Sequence, residues 1–174
     1  MSHPHPRKHH DAHDAAPVPA AVITVSDTRT VQDDTSGATA AELLRTAGHA
    51  VVSHTIVPDE REAIASAIRA AIVAGARLVV TNGGTGIAAR DVTFEAVSAM
   101  LDKTLDGFGE AFRRLSWDEI GPRAMLSRAI AGTYGHSLLV ALPGSTKAVR
   151  LGMEKLVLPI ANHAIGLLGD PKGS

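Results

Sequence analysis

The chain alternates between short apolar runs and longer stretches that carry an apolar stripe at helical spacing. Ala20-Ala21-Val22-Ile23-Thr24-Val25-Ser26 is a nearly unbroken apolar run of strand length, the form taken by a strand covered on both faces in a parallel sheet. A polar loop through Asp27, Asp33, Asp34, Ser36 and Gly37 follows. It leads to a helix with Ala40, Leu43, Leu44 and Ala47 on one face and Gly48 at its stop. Ala50 to Val57 is a second strand, ended by Pro58. Asp59, with Glu62 three residues on, has the form of a capping box. Ile64, Ala65, Ile68, Ala71 and Ile72 then form one buried helical face that ends at Gly75. Leu78 to Thr81 is the third strand, and it runs into Gly83-Gly84-Thr85-Gly86.

Beyond that loop, Phe94, Val97, Met100 and Leu101 mark a short helix with Asp91 near its N-cap. Leu105, Phe108, Phe112 and Leu115 make a helical stripe despite Gly107 and Gly109, and the pattern breaks over Trp117 to Pro122. Ala124 to Arg128 reads as a short helix or turn. Ala129 to Tyr134 and Ser137 to Leu142 read as two strands about Gly135-His136, a hairpin or, for the second, a continuation of the parallel sheet. Leu142-Pro143-Gly144-Ser145-Thr146-Lys147 is another strand-to-helix junction. The helix after it buries Val149, Leu156, Val157, Ile160 and Ala164, with Pro159 kinking or dividing it. Strands alternating with amphipathic helices predict an α/β fold with a mainly parallel sheet and helices on both faces.

Length and composition narrow the field. The chain has 174 residues, enough for one domain with a proper core. Residues 1–19 hold five histidines and four prolines and little to bury, so they are expected to be a disordered tail. Residues 20–170 are expected to form a single domain. A net charge of -1 and an aromatic content of 3% give no basic field or stacking surface for nucleic acid. The absence of Cys excludes thiolate metal sites, disulfides and a Cys nucleophile. No apolar run is long enough to span a membrane and no signal-peptide core opens the chain, so the expected location is the cytoplasm.

In parallel α/β sheets, ligands sit beyond the carboxyl ends of the strands. Four polar junctions fall at such ends: Ser26-Asp27-Thr28, Pro58-Asp59-Glu60, Gly83 to Asp91, and Pro143 to Lys147. Their coincidence points to one composite site. Glycines allow backbone amides to come close to an anion, although tight backbone packing alone would also use them. Gly84 to Ala89 matches a loose dinucleotide fingerprint, but it follows the third strand instead of the first, which argues against that use. No P-loop motif is present. Asp59 and Asp91 are open to two readings that can coexist: helix caps, or carboxylates that hold Mg²⁺ against nucleotide phosphates. Ser127-Arg128 and Ser145-Thr146-Lys147 offer hydroxyls and cations for an anionic ligand. His49, His54, His136 and His163 show no metal-ligand spacing.

Five motifs in order carry a resemblance over about Ala20 to Leu168. They are Thr24-Val25-Ser26-Asp27-Thr28 with Asp34-Thr35-Ser36-Gly37; Val57-Pro58-Asp59-Glu60; Thr81-Asn82-Gly83-Gly84-Thr85-Gly86 with Arg90-Asp91-Val92-Thr93; Ala124-Met125-Leu126-Ser127-Arg128; and Leu142-Pro143-Gly144-Ser145-Thr146-Lys147. Together they resemble the molybdopterin-binding MogA/MoaB proteins, relatives of the gephyrin G domain. The resemblance implies a three-layer α/β/α sandwich that assembles as a trimer, or as a hexamer made of two trimers. It implies transfer of AMP from Mg-ATP to molybdopterin, with release of pyrophosphate. By motif, Asp59 and Asp91 would be the essential carboxylates and would organise Mg²⁺. The Gly83, Gly84, Thr85, Gly86 loop, with Arg90 beside it, would hold nucleotide phosphates. Ser26, Asp27, Ser36, Ser127 and the Pro143, Gly144, Ser145, Lys147 loop would line the pterin and phosphate end. Arg90-Asp91-Val92-Thr93 and Pro58-Asp59-Glu60 look like the MogA branch, whereas Gly144 to Lys147 and Asp106 to Gly121 look more like MoaB. In some MoaB-type members the aspartate of Pro-Asp-Glu is altered; its presence here favours activity. The alternative implied function is a non-catalytic molybdopterin carrier, and a scaffold role ranks below both.

Overall fold

The computed structural model describes residues 16–170. Most of the expected tail, residues 1–15, lies outside them. Six strands form one sheet in the order β2-β1-β3-β6-β5-β4. They are β1 (Pro19–Val25), β2 (Ala50–Val57), β3 (Leu78–Asn82), β4 (Lys103–Thr104), β5 (Ile130–Tyr134) and β6 (Ser137–Leu142). The helices are α1 (Thr35–Thr46), α2 (Arg61–Val73), α3 (Thr93–Ser98), α4 (Asp106–Ile120), α5 (Thr146–Gly152) and α6 (Leu158–Leu167). β1 pairs in parallel with β2 and β3, and β3 with β6. β5 is antiparallel to β6, and β4 to β5. β6 thus closes a hairpin and also extends the parallel sheet, so both alternatives left open by the sequence hold.

The central strands β1, β3 and β6 are almost wholly buried because their alternate side chains enter two different cores. Ala20, Val22, Leu78, Val80, Leu138 and Val140 face α1, α4, α5 and α6, where Leu44, Phe112, Val149 and Met153 meet them. Ala21, Ile23, Val79, Leu139 and Ala141 face α2 and α3, against Ile64, Ile68 and Val97. The result is an α/β/α sandwich. β1 begins at Pro19 and Val18 is already buried.

Local details sharpen or depart from what the sequence implies. Trp117 to Ile120 continue α4, because nothing before Gly121-Pro122 bars a helix; the break comes at Gly121 with φ +59. Of the two expectations for Pro159, division holds: one π-helical turn, Met153–Val157, separates α5 from α6, and Pro159 sits in the first turn of α6, a position that tolerates it. β4 was not foreseen. Two residues carry no periodicity, and this pair is strand only because it lies against Thr133 and Gly132.

The sheet order sets the position of the site. From β1 the chain passes through α1 to β2 on one side. From β2 it returns through α2, on the opposite face, to β3 on the other side of β1. Connections therefore leave the carboxyl ends of β1 and β3 in opposite senses, which opens a crevice there.

Candidate functional site

The glycine loop leaves β3 inside this crevice. Gly83 has φ +105, its N–H donates to the Leu142 carbonyl at 3.0 Å, and a side chain on it would strike the Val25 carbonyl. Gly84 has φ +61. A Cβ there would lie 2.5 and 2.9 Å from the two Asp59 carboxylate oxygens and would collide with Thr93 Oγ1. A Cβ at Gly86 would lie 2.6 Å from Asp91 Oδ2. The glycines thus admit two carboxylates to the loop backbone, one on each of two adjacent segments, and tight packing is part of their function.

Neither aspartate caps its helix. α2 starts after Glu60 and α3 after Val92, both without a side-chain cap bond, so the capping box expected at Asp59 and Glu62 is absent. The Asp59 carboxylate reaches across the crevice and accepts from the Val92 N–H at 3.3 Å. The Asp91 carboxylate folds back within its own loop and accepts from the Ala88 N–H at 2.9 Å. Asp27 joins the first of these groups. It accepts from the Asp59 N–H at 3.1 Å and from Arg90 at 2.7 and 3.1 Å. The Arg90 guanidinium holds the Asp27 carboxyl below its ordinary value. Asp59 goes the other way. Burial pushes its carboxyl up, the charges of Asp91 and Asp27 add to that, and the Val92 N–H and Arg90 only partly offset them. Beside it, the Thr93 hydroxyl is buried and has no hydrogen-bond partner among the described residues.

A second polar cluster lies under the neighbouring wall. Asp34, expected as a loop acid, is 2% exposed. It N-caps α1 through the Gly37 N–H at 2.9 Å, accepts from Thr24 Oγ1 at 2.6 Å, and lies 2.9 Å from His54 Nε2. Burial pushes the Asp34 carboxyl up, but these bonds outweigh it and hold it below its ordinary value. Ser36 donates to Asp34 and accepts from Asn82 Nδ2 at 2.9 Å and from Arg29. The other end of Arg29 donates to the Gly144 carbonyl at 2.9 Å, tying the loop after β1 to the loop after β6. Gly144 also packs directly on Gly83, where a Cβ would sit 3.1 Å from the Gly83 Cα.

The remaining candidates divide. The Ser26 hydroxyl is used locally, accepting from the N–H groups of Thr28 and Arg29 at 3.3 and 3.2 Å. Ser145 N-caps α5 through the Ala148 N–H at 3.2 Å. The Ser127 hydroxyl is buried without a partner among the described residues, and the next residue joins the glycine loop, with the Arg128 N–H donating to the Thr85 carbonyl at 3.3 Å. Pro143 starts the loop that Arg29 anchors. Lys147 is exposed and makes no ion pair among the described residues. The fold therefore gathers Asp27, Asp59, Gly83, Gly84, Thr85, Gly86, Arg90, Asp91 and Ser127 about the glycine loop, with Ser36 and Gly144 linked to it through Asn82 and Arg29. Arg29, Asp34, His54 and Thr93 also shape the site, although the sequence motifs assign them no role there. Several of their contacts join distant stretches of chain, Asp34 to Thr24 and His54 and Arg29 to Gly144, and only the folded chain reveals these.

This is an α/β fold with an open crevice of backbone amides, carboxylates and hydroxyls at its switch point, the arrangement of a protein that holds an anionic ligand. The family model described as "Probable molybdopterin binding domain" matches residues 21–163, and the chain belongs to that family. "Molybdenum cofactor biosynthesis protein B" of Bacillus cereus is 53% identical over 144 residues, covering 82% of this chain and 85% of that protein. A crystal structure of a molybdenum cofactor biosynthesis protein B superposes with a TM-score of 0.85 at 51% identity, covering 88% of this chain and 96% of that one. A MogA structure superposes at 0.79 with 31% identity, covering 87% and 99%. The B branch is thus the nearer of these, although the Pro-Asp-Glu and Arg-Asp-Val-Thr motifs look like the other branch.

Proposed function

We propose that this protein transfers AMP from Mg-ATP to molybdopterin, giving adenylylated pterin and pyrophosphate in the biosynthesis of the molybdenum cofactor. The observation that carries the reading is the packing of Asp59 and Asp91 against Gly84 and Gly86 of one loop. It sets two carboxylates beside amides suited to phosphate. The residues fit Mg²⁺: the Asp59 oxygens, an unpartnered Thr93 hydroxyl and the side-chain-free surface of Gly84 adjoin one another. Among the described residues no group of three or more His, Asp or Glu side chains could hold a metal by itself, so Mg²⁺ here would need phosphate oxygens and water to complete its shell. Asp59 and Asp91 would hold that ion, which when bound neutralises phosphate charge. Asp27 keeps Arg90 at the mouth of the crevice, leaving its remaining N–H groups for a phosphate oxygen. The loop amides orient the triphosphate so that the α-phosphorus faces the attacking pterin phosphate, and positioning with charge neutralisation supplies most of the rate. Ser26, Ser36, Ser127 and the Pro143 to Lys147 loop would line the pterin end.

Purified protein given Mg-ATP and molybdopterin should form adenylylated pterin and pyrophosphate, and omission of Mg²⁺ should stop it. Pterin binding without turnover would instead support the carrier reading. Assembly into a trimer or hexamer belongs to the same proposal; the exposed Trp117 and Ile120 at the end of α4 are apolar surface it would cover, and analytical ultracentrifugation checks it.

A further inference from the structure

From the sequence Arg128 offers a cation for an anionic ligand, but its guanidinium is spent on the protein itself. Its Nε–H donates to the Gly86 carbonyl at 2.9 Å and, more weakly, to the Thr85 carbonyl at 3.4 Å. An Nη2–H donates to the Asp91 carbonyl at 3.0 Å. The outer edge of the fork pairs with the Glu95 carboxylate, and the plane lies 5.1 Å from the Phe94 ring centroid. One side chain thus gathers three carbonyls of the glycine loop and fastens them to α3.

A trans peptide holds its N–H opposite its C=O. With the Thr85 and Gly86 carbonyls turned onto Arg128, the N–H groups of Gly86 and Ile87 point away from it. Neither has a hydrogen-bond partner among the described residues, and neither do those of Gly84 and Thr85. Successive backbone N–H groups left free in this way form a concavity suited to an anion. We propose that Arg128 is the positioning residue of this loop: by pinning the Thr85 and Gly86 carbonyls it presents the Gly86 and Ile87 N–H groups to a phosphate. The proposal rests on the nucleotide-binding part of the adenylyl-transfer reading. It demands Arg at this position, because a planar fork can serve several carbonyls and a carboxylate together and a Lys ammonium cannot hold that set.

The test titrates inorganic pyrophosphate into the wild type, Arg128→Lys and Arg128→Gln. It follows the ¹⁵N–¹H resonances of Gly86 and Ile87 and measures affinity by calorimetry. In the wild type both resonances should move on binding. Both variants should bind at least about tenfold more weakly, the effect of losing a charge-assisted hydrogen bond. Their Gly86 and Ile87 resonances should already be displaced before pyrophosphate is added, while those of β1 stay in place. In turnover, the KM for Mg-ATP should rise by the same factor and the KM for molybdopterin should not. Unchanged pyrophosphate affinity per folded molecule, with only less folded protein, overturns the proposal; should Arg128→Gln fail to fold, Arg128→Lys decides. Failure of the wild type to bind either pyrophosphate or Mg-ATP overturns both this proposal and the adenylyl-transfer reading. If the wild type binds pyrophosphate and the variants lose it, but no adenylylated pterin forms, the transfer reading falls and the assignment of Arg128 stands.

Discussion

Asp34 and Asp59 lie at the same end of the same sheet and live in opposite surroundings. Asp34 is more deeply buried, yet every group about it is spoken for: Thr24, Ser36, the Gly37 N–H and His54 all turn to it, and its carboxyl is held below the ordinary value. Asp59 is less buried, has one weak backbone donor, faces two other acids, and is pushed above the ordinary value. The unpartnered Thr93 hydroxyl adjoins it. A closed network stabilises a fold. An open one, with donors and acceptors left over at a crevice, is what a ligand completes. Burial by itself does not separate scaffold from site; the state of the hydrogen-bond partners does.

The largest test of that contrast is Asp59→Asn. We expect turnover to fall by about 10³-fold or more, in the range that removal of a key electrostatic group costs, with no loss of stability in urea unfolding. A loss of stability like that expected at Asp34 would erase the distinction. Asp34→Ala should instead cost about 3 kcal/mol of stability, since it removes a helix cap and strands buried partners, and urea unfolding measures it directly. A finer comparison pairs two threonines. Thr24→Val should destabilise by about 1–2 kcal/mol because it breaks a bond to a buried carboxylate. Thr93→Val should leave the ligand-free protein unchanged or more stable, because its hydroxyl gives up nothing, and should weaken Mg²⁺ binding followed by calorimetry. The smallest effect is in pH. Asp34 has a folded value below the ordinary 3.8, so its contribution is fully present above that pH and is lost as the pH falls through the folded value. Thermal unfolding followed from pH 5 downward should show this acid limb in the wild type and a shallower one in Asp34→Asn.

Much of the architecture was legible in the residues. β1, β3 and β6 are apolar on both faces, β2 is bounded by Gly48 and Pro58, and α2 carries an unambiguous stripe. Their order alone brought Ser26, Asp59, Gly83 and Pro143 to one end of a sheet. What escaped notice depends on partners distant in sequence. Asp34 reads as one of several loop acids until Thr24 and His54 fold onto it. Asp59 has the spacing of a cap, but its carboxylate is taken by the Val92 N–H, 33 residues on, and Asp91 turns back to the Ala88 N–H of its own loop instead of forward to α3. Arg128 has no pattern about it at all, because its carbonyl partners leave no trace in side-chain chemistry.

Gly83 and Gly144 touch back to back, and the Gly83 N–H is bonded to the last residue of β6. The two loops are therefore one object made from two distant stretches of chain. Grafting the Gly83 to Asp91 segment of a MogA protein into this one would have to carry the Leu142 to Lys147 segment along with it. For the same reason, a change of ligand preference in this fold is expected to arise through paired substitutions in the two segments.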